Sequence, residues 1–354
     1  MKTKLLSYLV CPNCGGNLKL EVLKKDLSEV IEGLLKCACK EVFPIIQGVP
    51  RLLLEPLRSR VIEEQHPEFF RQHLNLRATH SLDALSKKKL NTSVRFGYEW
   101  QRFSKLEKEY EEQFLDWIYP IKNPFFKNKV VLDAGCGMAR HLFCAAKFGA
   151  KEAIGVDLGP SVDVAYQNIK HLHNAHVVQA DIYHLPFKDS FDYAYSIGVL
   201  HHLPAPEEGF KSVLSKVKKK GSISIWVYGQ EGNGLLQIVD PIRRFLFSKL
   251  PLGLNQALSF VFTLPIYPLI QYVYRPLNNQ KRSICAVLPQ NDFMYYLSKF
   301  PFHVVHSIIF DQMLAPIAFY LKKSEVNAWF TREKLKKVNI SWRNKNSWRG
   351  YGEK

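Results

Sequence analysis

The chain has 354 residues, with 49 lysines and arginines against 32 aspartates and glutamates, a formal charge of +17. With 47% hydrophobic and 23% charged residues it is a globular protein rather than a disordered polyelectrolyte, and its length suits two domains. The positive excess favours an acidic partner, whether nucleic acid, an anionic membrane surface or a phosphorylated substrate. Its clusters at residues 87–89 and 216–220 also fit solvated helix faces and ends.

The chain begins MKTKLLSYLVC, where the apolar stretch 5–10 is shorter than a secretory h-region and no small-residue cleavage site follows. The expected localisation is therefore cytoplasmic, extending to the inner face of the membrane if the protein is peripheral. Four of the seven cysteines fall in two close pairs, Cys11 and Cys14 in CPNC and Cys37 and Cys39 in KCACK, which argues against a spaced disulfide framework. In the first pair Pro12 and Gly15 shape a turn on which two thiolates can converge on one tetrahedral ion. The second pair is closer than the usual two-residue spacing. Two readings are open, a ribbon holding structural zinc and a ribbon folding on its apolar residues alone. About 55 residues without metal or disulfide make a marginal core, which favours zinc. LVCPNCGGNL and FPIIQGVPRLL resemble a small zinc-ribbon family whose members are activator subunits of tRNA and release-factor methyltransferases, and which also occurs fused to methyltransferases.

A polar, helix-prone linker spans 58–120. Within it VRFGYEWQRF, residues 94–103, places Phe96, Tyr98 and Trp100 either as a cap over a ligand or as packing of a helix onto a sheet. Then comes KVVLDAGCGMARH, residues 129–141, and IGVDLGPS, whose Asp157 follows Asp133 by 24 residues. The apolar run 130–132 predicts a strand buried on both faces. Gly135 and Gly137 predict a tight turn, residues 139–148 a helix, and 154–156 a second strand ending in an acid. A carboxylate at that tip, where open α/β sheets bind ligands, suits a ribose diol. The dinucleotide pattern Gly-x-Gly-x-x-Gly fails, because its third glycine would fall on Arg140.

DAGCG instead resembles the first motif of class I S-adenosylmethionine-dependent methyltransferases. VVQADIYHLPFKDSFDYAYSIGVLHHLPAP, residues 177–206, resembles its continuation in methyltransferases of the ubiquinone-biosynthesis type, and the likeness runs over about 129–229. The implied fold is α/β: a Rossmann-like, seven-stranded methyltransferase sheet with a small N-terminal ribbon and a mostly helical insertion. The resemblance implies that Asp133, Gly135, Cys136 and Gly137 wrap the methionine half of S-adenosylmethionine. Asp157, with Leu158 beside it, would take the ribose hydroxyls. Asp181 would face the adenine amine with Ile182 against the ring, and Ser196 and Ile197 would line the floor. Ala139 departs from the pattern, which commonly has a third glycine there. His201 or His202, where the fourth strand ends, could remove the acceptor's proton, or both could orient the loop. His171, His173 and His176 read as a solvated helix end rather than a metal cluster.

The expected organisation is a ribbon at 1–57, the linker and lid at 58–120, the core at 121–229, an apolar insertion at 230–322, and a final helix and strand pair at 323–354. Residues 250–274 carry no charge and are flanked by Arg243, Arg244, Lys249 and Arg275. Their length permits a membrane span, but Pro265 and Pro268 argue against a regular spanning helix. A cap over the site, an element dipping into the membrane and an oligomer interface compete for this stretch. No Asn- or Asp-Pro-Pro-Tyr motif follows the fourth strand, and the only Cys-Pro pair lies in the ribbon. This argues against methylation of exocyclic base amines or glutamine and against a cysteine-nucleophile pyrimidine enzyme. The expected function is methylation of a small or lipid-linked hydrophobic molecule, with peripheral membrane contact through 250–274. The alternatives are an RNA-modifying methyltransferase, with nucleic acid as partner, and a non-enzymatic scaffold of the same fold.

Overall fold

The computed structural model describes residues 1–74, 81–234, 240, 241, 243 and 245–354. Parts of the linker and of the insertion, Arg244 among them, lie outside the described residues.

Four strands, β1 (Leu18–Asp26), β2 (Glu29–Cys37), β3 (Val42–Ile46) and β4 (Val49–Pro50), form an antiparallel meander in chain order. β1 is largely exposed, whereas β2 and β3 bury Val30, Leu35, Phe43 and Ile45. That apolar face does not close on itself. Met1, Leu5, Cys11 and Phe43 belong to the same buried cluster as Val130, Leu132 and Ile154 of the larger sheet. Isolated bridges join Leu9 to Phe187 and Arg51 to Gln179. Arg51 is fully buried at this seam, donating to Gln179 Oε1 at 2.9 Å and pairing with Asp163 at 2.5 Å, which satisfies a charge that burial would otherwise penalise.

The larger sheet has seven strands: β5 (Val130–Ala134), β6 (Glu152–Asp157), β7 (Ala175–Gln179), β8 (Phe191–Ile197), β9 (Val217–Tyr228), β10 (Lys336–Arg343) and β11 (Ser347–Glu353), in the order β10-β11-β9-β8-β5-β6-β7. The strands from β9 to β7 are parallel, and β11 pairs antiparallel with β9 and β10. Every residue of β5 is buried, as expected for a strand covered on both faces. The loops after β5 and β8 leave the sheet in opposite directions, which opens a crevice at the carboxyl ends of the strands. At the opposite end, buried His176 meets Glu152 at 2.7 Å, so it is held within the sheet.

Two helices that line the crevice, a lid and a roof, are backed by a third on the outside. The lid helix Ala84–Arg102 starts on Asp83, which accepts from Ser86 N. The roof helix Phe302–Leu314 lies beside it, and the outer helix Leu252–Leu269 packs on the roof. The outer helix continues through Pro265 and Pro268 and passes into a π-helical turn, Ile270–Tyr274, so the apolar stretch is helical but not one regular α-helix. Both prolines sit on its exposed side, so the carbonyls they leave unpaired face outward, and the wider turn takes up the offset.

Candidate active site

A partly open cavity of about 280 Å³ occupies the crevice, and its two ends differ chemically. At the first end Gly135 (φ +85°) and Gly137 (φ +52°) carry the chain from β5 into the helix Arg140–Lys147. A Cβ on Gly137 would come within 2.9 Å of Trp100 Nε1, so glycine is required where the lid closes on the loop. Ala139 is itself left-handed at φ +69°, a conformation that favours glycine, and alanine is accommodated there. Asp157, at the tip of β6, accepts from Gly137 N at 2.9 Å and Gly159 N at 2.8 Å. Burial raises its pKa against the pull of those two amides. Each carboxylate oxygen keeps capacity for a further donor. Asp181 follows β7 and contacts Lys89 of the lid. Burial alone would raise it, but His184 and Lys89 outweigh that and hold it below the ordinary carboxylate range.

Gly135, Cys136, Gly137, Asp157, Leu158, Asp181 and Ile182 all line this cavity, as does Ile197. Asp133 and Ser196 are not on its wall. Ser196 Oγ donates to Ala134 O at 2.9 Å, behind the turn. Asp133 is fully buried, Oδ2 has no partner, and burial pushes its pKa up to about 8. Its folded pKa thus lies above its ordinary 3.8, so between these values the folded state holds a proton that the unfolded chain has released. Stability from this group is lost as pH rises through that window. Asp133→Asn, which does not titrate, is expected to gain stability relative to the parent between pH 5 and pH 8, as read by urea denaturation at both. A difference independent of pH would show that the carboxyl is ionised throughout.

At the second end the wall is formed by Glu99 of the lid, Ser307 and Asp311 of the roof, and Tyr228 at the end of β9. Ser307 donates to Glu99 Oε1 at 2.9 Å, and Glu99 Oε2 is buried without a partner. Tyr228 donates to Asp311 at 3.4 Å and accepts from Gln312 at 2.7 Å. Burial and the nearby Asp311 push Glu99 well above the carboxylate range, and burial raises Asp311 to about 6. Between the ends sits Arg140, whose guanidinium lies 4.9 Å from the Trp100 ring centre, 5.2 Å from Tyr110 and 5.4 Å from Trp117. Among the described residues it forms no ion pair.

The two histidines separate. His202 lines the cavity, packs its ring tilted against Phe96 at 5.0 Å and directs Nδ1 to Ile317 O at 2.6 Å. A carbonyl can only accept, so Nδ1 carries the proton and Nε2 keeps its lone pair. Burial lowers its pKa to about 4, leaving it neutral at physiological pH. His201 is buried behind it, 3.9 Å from Tyr228 ring to ring, with neither nitrogen partnered and no face on the cavity. Of the lid aromatics, Phe96 and Trp100 face the cavity, while Tyr98 turns away to Phe310 and Gln256. The sequence reading missed Glu99, Arg140, Tyr228 and Asp311. A signal existed for Asp311, the single acid between Asp292 and Glu325 in an apolar helix.

In the ribbon, the sulfurs of Cys11, Cys14, Cys37 and Cys39 all lie within 4.8 Å of one another, with Cys11 to Cys39 at 3.7 Å and Cys14 to Cys37 at 3.5 Å. A tetrahedral zinc with bonds of about 2.3 Å requires sulfurs about 3.8 Å apart, so the four thiolates fit the ion. The close spacing of the second pair works because Cys37 ends β2 and the chain reverses at Lys40, φ +71°. Burial pushes the Cys11 thiol up to about 12, and the Glu41 amide and neighbouring thiols bring Cys39 down to about 7.

The sheet order, the glycine turn and the acidic tips of β6 and β7 define a Rossmann-like nucleotide-cofactor cleft. Residues 132–225 match the model of the family described as methyltransferase domain, so the chain carries a methyltransferase domain, of the S-adenosylmethionine-dependent class, behind a four-cysteine ribbon. The chain is similar to the tRNA U34 carboxymethyltransferase of Aeromonas salmonicida, 30% identical over 37% of this chain and 41% of the relative. Less than half the length of the curated relative is therefore spanned. Among solved structures it is similar to magnesium protoporphyrin IX methyltransferase from Synechocystis PCC 6803, 12% identical over 84% of this chain and 98% of that one with a TM-score of 0.41. It is also similar to a complex of the Haloferax volcanii Trm112 methyltransferase activator with a methyltransferase, 18% identical over 37% and 60% with a TM-score of 0.29.

Proposed function

We propose that this chain transfers a methyl group from S-adenosylmethionine to a protic group of a small or lipid-linked hydrophobic molecule. The carrying observation is the single cavity that runs from Asp157 and Asp181 to Glu99, Asp311 and His202 under an aromatic lid. Arg140 would hold the methionine carboxylate, Asp157 the ribose hydroxyls, and Asp181 with Ile182 the adenine. Bound there, the cofactor would supply an activated methyl group for displacement by the acceptor's lone pair. The residues of the chain align the acceptor and exclude water. At the acceptor, protonated Glu99 donates a hydrogen bond from Oε2, Asp311 accepts one, and His202 Nε2 takes the proton the acceptor releases. Phe96, Trp100, Phe293, Tyr296 and Ile308 give that end its apolar wall.

A second reading, methylation or carboxymethylation of RNA, is favoured by the printed name of the curated relatives and by the charge of +17. Purified protein is incubated with methyl-labelled S-adenosylmethionine and either the organic-soluble extract or the total RNA of a strain lacking the gene. Label in the organic extract is expected. Label confined to RNA would replace the first reading by the second, and label in neither, together with no cofactor binding by calorimetry, would favour the scaffold.

A further inference from the structure

The outer helix is built inside out. Its buried positions are Asn255, Ser259 and Thr263, spaced four apart on one stripe and turned toward the protein. Ser259 Oγ meets His306 Nε2 of the roof helix at 2.9 Å, and Asn255 donates to Phe247 O at 2.6 Å. The exposed face carries Leu254, Val261, Phe262, Leu264, Leu269 and Tyr272, the last 81% exposed. Over Leu252–Asn279 only 22% of the most apolar window is buried. A water-facing helix has the reverse arrangement, and an apolar face of this size marks a contact surface.

The charge around it identifies the occupant. Between Asp240 and Asp292 the sequence has six basic residues and no acidic one. Lys249, Arg275, Lys281 and Arg282 are exposed at the ends of the patch, and none pairs with a carboxylate among the described residues. An apolar strip rimmed by unpaired cations suits an interface of acyl chains and anionic headgroups. A second copy packed on a two-fold axis would set this basic rim against itself.

We propose that the outward face of Leu252–Asn279 seats the protein on an anionic lipid surface, lying in the interface rather than crossing it. The polar stripe fastens the helix sideways to the roof helix and to Phe247, so a spanning orientation would break those bonds. The roof helix, held on its other side, forms the acceptor end of the cavity through Ser307, Ile308 and Asp311. Seating would therefore bring that end close to the membrane. The proposal does not depend on which acceptor is methylated.

Flotation of the full chain with vesicles tests it. Binding to equimolar phosphatidylcholine and phosphatidylglycerol is expected to exceed binding to phosphatidylcholine alone by about tenfold or more, and to weaken with salt. Val261→Asp with Leu264→Asp, at exposed positions, should reduce binding to the mixed vesicles by about tenfold or more while leaving cofactor affinity unchanged. Lys249→Glu with Arg275→Glu should remove the preference for the anionic lipid. The proposal is overturned if the protein floats with neither vesicle or equally with both, or if both double variants bind as the parent does. It is also overturned if the parent forms a vesicle-free dimer that Val261→Asp with Leu264→Asp dissociates, since the face would then belong to a second copy.

Discussion

Asp157→Ala is expected to abolish measurable binding of S-adenosylhomocysteine in calorimetry. In the proposed complex this carboxylate takes two ribose hydroxyls, and hydrogen bonds to a charged group contribute about 1.5–3 kcal/mol each. Losing both corresponds to roughly 10²- to 10⁴-fold in affinity. The substitution also frees Gly137 N and Gly159 N, which hold the glycine turn and the start of the next helix in place. Near-normal circular dichroism and unfolding midpoint would place the loss in the site rather than in the fold. If Asp157→Ala binds the cofactor like the parent, the ribose assignment is wrong.

Removing the metal is expected to damage more than the ribbon. The purified chain should contain about one zinc, and Cys14→Ser, or a chelator, should release it and lower the unfolding midpoint markedly, because structural zinc contributes up to about 10–16 kcal/mol to small sites. The loss should reach the cofactor site for a structural reason. Val10 N donates to Pro186 O at 2.9 Å and Lys188 N to Tyr8 O at 3.0 Å, so the segment leading into the cysteine loop is laced to residues 183–188, just after Asp181. The metal-free protein should therefore bind S-adenosylhomocysteine more weakly, by isothermal calorimetry. A chain that holds no zinc, or a Cys14→Ser variant with unchanged zinc content and midpoint, would favour the ribbon that folds on its apolar residues alone.

The carboxyl-end crevice was legible because its signals are local. The run 130–132, two glycines and an acid after the next strand specify a turn whose backbone geometry few other sequences adopt. The second end of the cavity was not legible in that way. Glu99 lies in an aromatic segment of the lid helix, and Asp311 more than two hundred residues later in the roof. Nothing in either neighbourhood states that they share a wall. The adjacent residues His201 and His202 illustrate the same limit. A short 3-10 turn, Leu200–His202, sends one ring into the cavity and the other behind Tyr228.

Two further features depended on the tertiary structure. Asp133 reads in sequence as part of the glycine loop, yet it sits behind the turn as a buried carboxyl off the cavity wall. The apolar stretch 250–274 was open to three readings, a cap first, then a membrane element, then an interface, while only composition was known. Its direction was decided by three small polar residues finding partners on the roof helix, Phe247 and the outer helix itself, which left the hydrophobic face outward. The sequence by itself marked the glycine turn, the acid at the tip of the next strand and the four-cysteine ribbon, because turn chemistry and hydrophobic runs act over a few residues, and the resemblance of its motifs pointed to the methyl-donor class. Only the tertiary structure decided which distant polar groups meet at the acceptor end and which face of a hydrophobic helix is left bare, because both depend on packing between segments that carry no mark of each other.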